Sequence, residues 1–179
     1  PVAASASKGV QYLEPAQLER WLDAQAGDWL VEEPLEVERE FHIDGVIAAG
    51  RASWLEVSAY DRPVLQARTG VRISTILPAD DPLRDPLQSI AQRVVAALEV
   101  DAGVFHLECM LASGKLNFGQ VALRPAGSCI PDMLRSVTGA DLWAAFMASQ
   151  LEVPYAMPAV RAAKPLSGLV MARSHQAGC

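Results

Sequence analysis

Cysteine is scarce in this chain. Three occur in 179 residues, Cys109, Cys129 and Cys179, an odd count with no CxxC pair, which argues against a disulfide framework and for reduced thiols in a cytoplasmic protein. No apolar run approaches the roughly 20 residues of a membrane span, and the chain opens without a signal-peptide pattern. Basic clusters are missing too. With a formal charge of −6 and a pI near 5.0, a nucleic-acid backbone is a poor partner. Internal repeats, low-complexity tracts and a P-loop pattern are also lacking. An initiator Met is absent, and the chain runs from a loop-like Pro1-Val2-Ala3-Ala4 to Cys179 just after a strand-like stretch. That reads as part of a longer protein.

What the sequence does have is a β-hairpin around which the rest is arranged. Val104–Met110 and Leu116–Arg124 alternate in polarity, and Ser113-Gly114-Lys115 supplies turn chemistry between them. Strand side chains repeat every two residues, so His106 and Glu108 share one face, and Gln120, Ala122 and Arg124 share another. If both faces look into a cleft, they offer a carboxylate, an amide oxygen and a guanidinium. Oxygen ligands suit Mg²⁺, and Arg suits phosphate or carboxylate. The alternation is equally what any half-buried hairpin has.

Before the hairpin, Ser5–Val10 is a small-residue loop whose amides could approach an anion closely, with Lys8 adding charge, and it reads equally as a flexible terminus. Pro15–Ala26 has the spacing of an amphipathic helix with a Leu18, Trp21, Leu22 stripe. Trp29–Val31 reads as a short apolar strand running into the acidic Glu32-Glu33-Pro34-Leu35-Glu36. From Glu38 to Ala48 a long strand sends Glu40, His42 and Asp44 one way and Phe41, Ile43 and Val46 coreward, with Gly45 near a break. Arg51–Tyr60 is its antiparallel partner.

Asp61–Asp85 is a long excursion containing one short strand, Val71–Ile76. Leu87–Val100 is a helix with Ile90, Val94, Val95 and Leu98 as its buried stripe. After the hairpin come two helices, Ile130–Val137 and Ala140–Leu151, with Asp141 suited to the first turn of the second. Pro154–Pro165 is irregular, and Gly168–Ala172 is a last strand. This order predicts an α+β sandwich, a mainly antiparallel sheet with helices packed on one face. The other face carries Glu40, His42, His106, Glu108, Gln120 and Arg124.

Five stretches, in order, resemble the ATP-grasp superfamily, in particular its carboxylate–amine ligase branch. SASKGV resembles the mobile loop over the phosphates. VEEPLEVEREFHIDGVIAAG resembles the linker strand and its continuation. GVFHLE resembles the strand with the first metal carboxylate, FGQVALRPAG the strand that usually reads Glu-x-Asn or Glu-x-Ala before Arg-Pro-Gly-Gly, and TGADLW the helix start that follows.

The resemblance implies a partial ATP-grasp domain over residues 1–152 and the start of a further C-terminal segment over 153–179, with an N-terminal domain preceding Pro1. Glu32, Glu33 and Leu35 would line the adenine pocket. Glu40 would bond the ribose hydroxyls, with His42 among the nucleotide-binding residues. Ser7, Lys8 and Gly9 would fold over the phosphates, Glu108 and Gln120 would hold Mg²⁺ or Mn²⁺, and Arg124 would bind phosphate or an acyl phosphate during catalysis. The implied reaction joins a small-molecule carboxylate to an amine at the expense of ATP, and a homodimer is allowed. Gln120 stands where the family usually has Glu, Ala122 where it has Asn, and Ala126-Gly127 replaces Gly-Gly, which implies re-tuned metal use.

Two other readings compete. The same fold could serve as a non-catalytic or regulatory nucleotide-binding module. Alternatively, His42-x-Asp44 and His106-x-Glu108 could hold zinc or iron unconnected with ATP, provided their strands are adjacent. Cys109 points away from Glu108 toward the core, where a thiol acts as a small hydrophobe.

Overall fold

Polarity alternation along one strand sets the architecture. In the computed structural model, which describes residues 9–66, 71–157 and 168–172, the elements in chain order are α1 (Pro15–Asp23), β1 (Val37–Ala48), β2 (Arg51–Tyr60), β3 (Val71–Ile76), α2 (Arg84–Leu98), β4 (Ala102–Ala112), β5 (Lys115–Ala122), α3 (Ile130–Thr138), α4 (Leu142–Gln150) and β6 (Gly168–Ala172). The six strands form one sheet in the order β5-β4-β1-β2-β3-β6, and every neighbouring pair is antiparallel. The α+β class and the antiparallel sheet therefore agree with the sequence. The hairpin, β2, β3 and β6 also fall where they are expected.

The chain divides into two compact parts, Pro1–Glu36 and Val37–Cys179. Within the first, α1 carries a half-buried stripe, and Trp21 meets Trp29 edge-on with ring centroids 4.5 Å apart. The strand expected at Trp29–Val31 does not form. Leu30 is 70% exposed, and an apolar triplet with no strand to pair with has no reason to stay extended.

In the second part, β1 and β4 are central and bury both of their faces. Phe41, Ile43, Val57, Phe105 and Leu107 meet Leu87, Ala91 and Val95 of α2 on one side. Val46 and Val104 meet Ile130 and Leu134 of α3 and Leu142 and Ala145 of α4 on the other. The helices, expected on one face, are thus divided between two. Val104 and Phe105, adjacent in sequence, reach opposite layers because of the two-residue strand period. Each fully buried Phe or Leu contributes roughly 2–3 kcal/mol. Asp141 caps α4 by accepting from the Ala144 amide at 3.0 Å, as its position predicts.

Gly45 does not break β1, which is continuous. A Cβ there would lie 2.5 Å from the Phe105 ring and 2.6 Å from the Trp54 carbonyl oxygen. Glycine is what lets the Phe105 ring lie across the central strand.

Candidate functional site

Strand register assembles a polar row inside the sheet. Ser58 on β2, His42 on β1, Glu108 on β4 and Gln120 on β5 are consecutive cross-strand partners. One step along the strands, Glu56, Asp44, His106 and Ala122 form the next row. The two rows share a face, since successive pairs in β1 and β4 are two residues apart. A bulge at Glu108/Cys109 leaves Gly119 unpaired. A Cβ on Gly119 would lie 3.0 Å from the Glu108 carbonyl oxygen, so the close approach there requires glycine.

Side chains link the rows into a hydrogen-bonded chain. His42 Nε2 meets Ser74 Oγ at 2.6 Å, and His42 Nδ1 meets Asp44 Oδ2 at 2.6 Å. The other Asp44 oxygen, Oδ1, faces His106 Nδ1 at 2.8 Å. His106 Nε2 then lies 3.4 Å from Glu108 Oε1, and Gln120 Nε2 donates to Glu108 Oε2 at 2.6 Å. Tyr60 lies beside His42 with ring centroids 4.9 Å apart. Asp44's other neighbour, Glu56, is paired with Arg84 and also accepts from the Val57 amide.

These groups are buried. His42 and Asp44 are 0% exposed and His106 is 7%. Burial alone would raise the Asp44 carboxyl, but the neighbouring imidazole of His42 and the hydrogen bonds from His106 and His42 prevail and lower it to about 2. Burial likewise opposes charge on His106, yet hydrogen bonds to Asp44 and Glu108 raise it to about 9. Glu108 is held below the ordinary glutamate range because its contact with His106 outweighs burial. It is therefore ionised at neutral pH. Cys109 is pushed up to about 12 by burial, with the Glu108 charge adding to it, which rules it out as a nucleophile at neutral pH.

The structure thus brings Glu108, Gln120, His42 and Glu40 onto one sheet face. Glu40 is 8% exposed and accepts from the Val64 amide at 2.6 Å, so this oxygen serves the loop that follows β2. Arg124 lies beyond the end of β5, off the strand that was expected to align it with Gln120, and donates to the Pro125 carbonyl at 2.8 Å. Glu32, Glu33 and Leu35 are exposed in the N-terminal part, and Gly9 takes a left-handed φ of 77°. Ser7 and Lys8 lie outside the described residues. Ser74 and Ser58 carried no signal in the sequence: a serine in a short strand is unremarkable until the register places it against His42.

No family model matches the chain. The L-arginine-specific L-amino acid ligase of Bacillus subtilis is 30% identical over 115 residues, covering 64% of this chain and 28% of that protein. Among solved structures, glycinamide-RNase-transformylase T from Mycobacterium tuberculosis superposes with a TM-score of 0.50 at 18% identity, over 79% of this chain and 52% of that one. N5-carboxyaminoimidazole synthetase from Staphylococcus aureus, complexed with ADP, gives 0.50 at 9% identity, over 79% and 48%. The fold is that of the ATP-grasp proteins. The chain spans about 28% of the length of the curated ligase it matches.

Proposed function

We propose that the protein bearing this chain is an ATP-dependent ligase that joins a carboxylate to an amine through an acyl phosphate, with amino acids as the substrate class. The observation that carries this reading is the 115-residue likeness to an L-amino acid ligase, on a sheet whose Glu108 and Gln120 face each other across two strands. In this reading ATP phosphorylates the carboxylate, and the amine then displaces phosphate. The protein's contribution is positioning and charge neutralisation. Arg124 binds phosphate, Glu40 serves the nucleotide side, and Ser7, Lys8 and Gly9 cover the phosphates; His42, buried with both ring nitrogens engaged by Asp44 and Ser74, does not reach the nucleotide. Glu32, Glu33 and Leu35 contact adenine.

Glu108 and Gln120 fit one Mg²⁺ or Mn²⁺. Glu108 is ionised and its side chain is 19% exposed, and an amide oxygen is a hard ligand. When bound, the ion neutralises phosphate charge. Gln120 now turns its NH₂ toward Glu108, so metal binding requires the amide to turn over and give up that hydrogen bond. Gln120→Glu places two carboxylates at this spot and should raise Mg²⁺ affinity about tenfold or more, measured as the Mg²⁺ dependence of nucleotide binding. Unchanged affinity would count against Gln120 as a ligand.

Full-length protein incubated with ATP and amino-acid mixtures should release ADP in step with a new amide product seen by mass spectrometry. Arg124→Ala should cut that rate at least a hundredfold. Nucleotide binding without turnover would favour a regulatory module, a reading that the single carboxylate at the Glu108–Gln120 pair supports.

A further inference from the structure

We propose that His42, Asp44 and His106 form a site for one zinc-type metal ion inside the sheet, distinct from any ion held by Glu108 and Gln120. Their ligand atoms all lie within 4.8 Å of one another. Both imidazoles turn Nδ1 toward the same carboxylate, His42 to Oδ2 at 2.6 Å and His106 to Oδ1 at 2.8 Å. Two imidazoles and one carboxylate are a set that Zn²⁺ accepts, whereas Mg²⁺ and Ca²⁺ select all-oxygen sites.

The outer nitrogens strengthen the case. His42 Nε2 is tied to Ser74 Oγ at 2.6 Å, and His106 Nε2 lies 3.4 Å from a Glu108 oxygen. Metal-bound histidines are oriented in this way, with the distal N–H given to an oxygen while the other nitrogen faces the ion. On binding, each Nδ1 exchanges its hydrogen for the metal and each Nε2 carries one, donated to Ser74 or Glu108.

A second observation is independent of those bonds. Ser58 Oγ is buried without a hydrogen-bond partner, and Ser58 is the cross-strand neighbour of His42 on the same face. A buried hydroxyl left unpaired is costly, and an ion with its bound water gives it a partner. Glu108, whose side chain is 19% exposed, stands 3.4 Å from His106 Nε2. This inference does not depend on the ligase reading, because it rests on the contacts among His42, Asp44 and His106 alone.

The test uses the full chain, stripped with a chelator and titrated with Zn²⁺ by calorimetry and with Co²⁺ by visible absorption. One equivalent should bind, Co²⁺ should give the ligand-field bands of a mixed nitrogen–oxygen set, and Zn²⁺ should raise the melting temperature where equal Mg²⁺ does not. Asp44→Asn and His106→Gln should each weaken Zn²⁺ at least a hundredfold, and Ser74→Ala about tenfold. A Cys129→Ser/His175→Ala variant, which removes the remaining histidine and an exposed thiol, should bind as the native chain does. If the native chain takes up no equivalent, or if binding survives Asp44→Asn or vanishes in the Cys129→Ser/His175→Ala variant, the row is a hydrogen-bond network only and the proposal falls. Should the core variants fail to fold, the Co²⁺ spectrum and the melting shift of the native chain decide alone.

Discussion

Asp44→Ala should cost on the order of 3–5 kcal/mol of stability, the usual toll for removing one partner of a buried ionic pair. In chelator, so that no metal contributes, the melting temperature should drop by roughly 10 °C or more, at about 2–4 °C per kcal/mol for a chain of this size. The reason is local. Asp44 is 0% exposed and receives both His42 and His106, so its removal leaves two imidazoles facing a void. Asp44→Asn, which keeps one acceptor oxygen, should cost less. A drop under about 3 °C for Asp44→Ala would mean that the row contributes little.

The same row dictates a pH dependence in the metal-free chain. His106 is raised from 6.5 to about 9, so the stability from its folded-state protonation is complete below about pH 6.5 and is lost as pH climbs through 9. The loss is on the order of 3 kcal/mol for a shift of this size. Asp44, lowered from 3.8 to about 2, acts at the other end. Its contribution is present above about pH 3.8 and disappears as pH falls through 2. Denaturant midpoints between pH 6 and 10 should fall in the native chain and flatten in His106→Gln.

Gly45→Ala should be as damaging as Asp44→Ala, at about 3 kcal/mol or more, although it adds a single methyl group. Overfilling a close-packed core typically costs 1–3 kcal/mol, but here one of the three clashing atoms is backbone. The Phe105 ring could tilt away from a new Cβ at 2.5 Å, but the Trp54 carbonyl at 2.6 Å can move only with the β1–β2 pairing. Shrinking the ring in a Gly45→Ala/Phe105→Leu double variant should therefore restore only part of the loss, measured by chemical denaturation. Full rescue would place the entire conflict in the ring.

The two-residue period made β2, β3, β6 and the hairpin legible in the sequence, and the helical period did the same for α2. The sheet face shared by Glu40, His42, Glu108 and Gln120 was legible as well, since alternation settles which side chains travel together. Its burial was not. Acidic and imidazole groups on a strand read as solvated, and only the pairing of β1 with β4 brings Asp44 between His42 and His106. Ser74 enters from 32 residues away, a distance over which local pattern carries no information. Trp29–Val31 misled in the opposite direction, because apolar composition promises a strand only where a partner exists to complete it. Arg124 was aligned with Gln120 by counting in twos past Ala122, where β5 has already ended.

The unpaired Gly119 has a consequence for how copies of the molecule meet one another. β5 is the outermost strand of the sheet, and an outermost strand with regular backbone polar groups invites a neighbour to extend the ladder. An extra residue at Gly119 puts that edge out of step halfway along its length. The irregularity that accommodates the Glu108–Gln120 contact also guards the sheet against growing into a polymer.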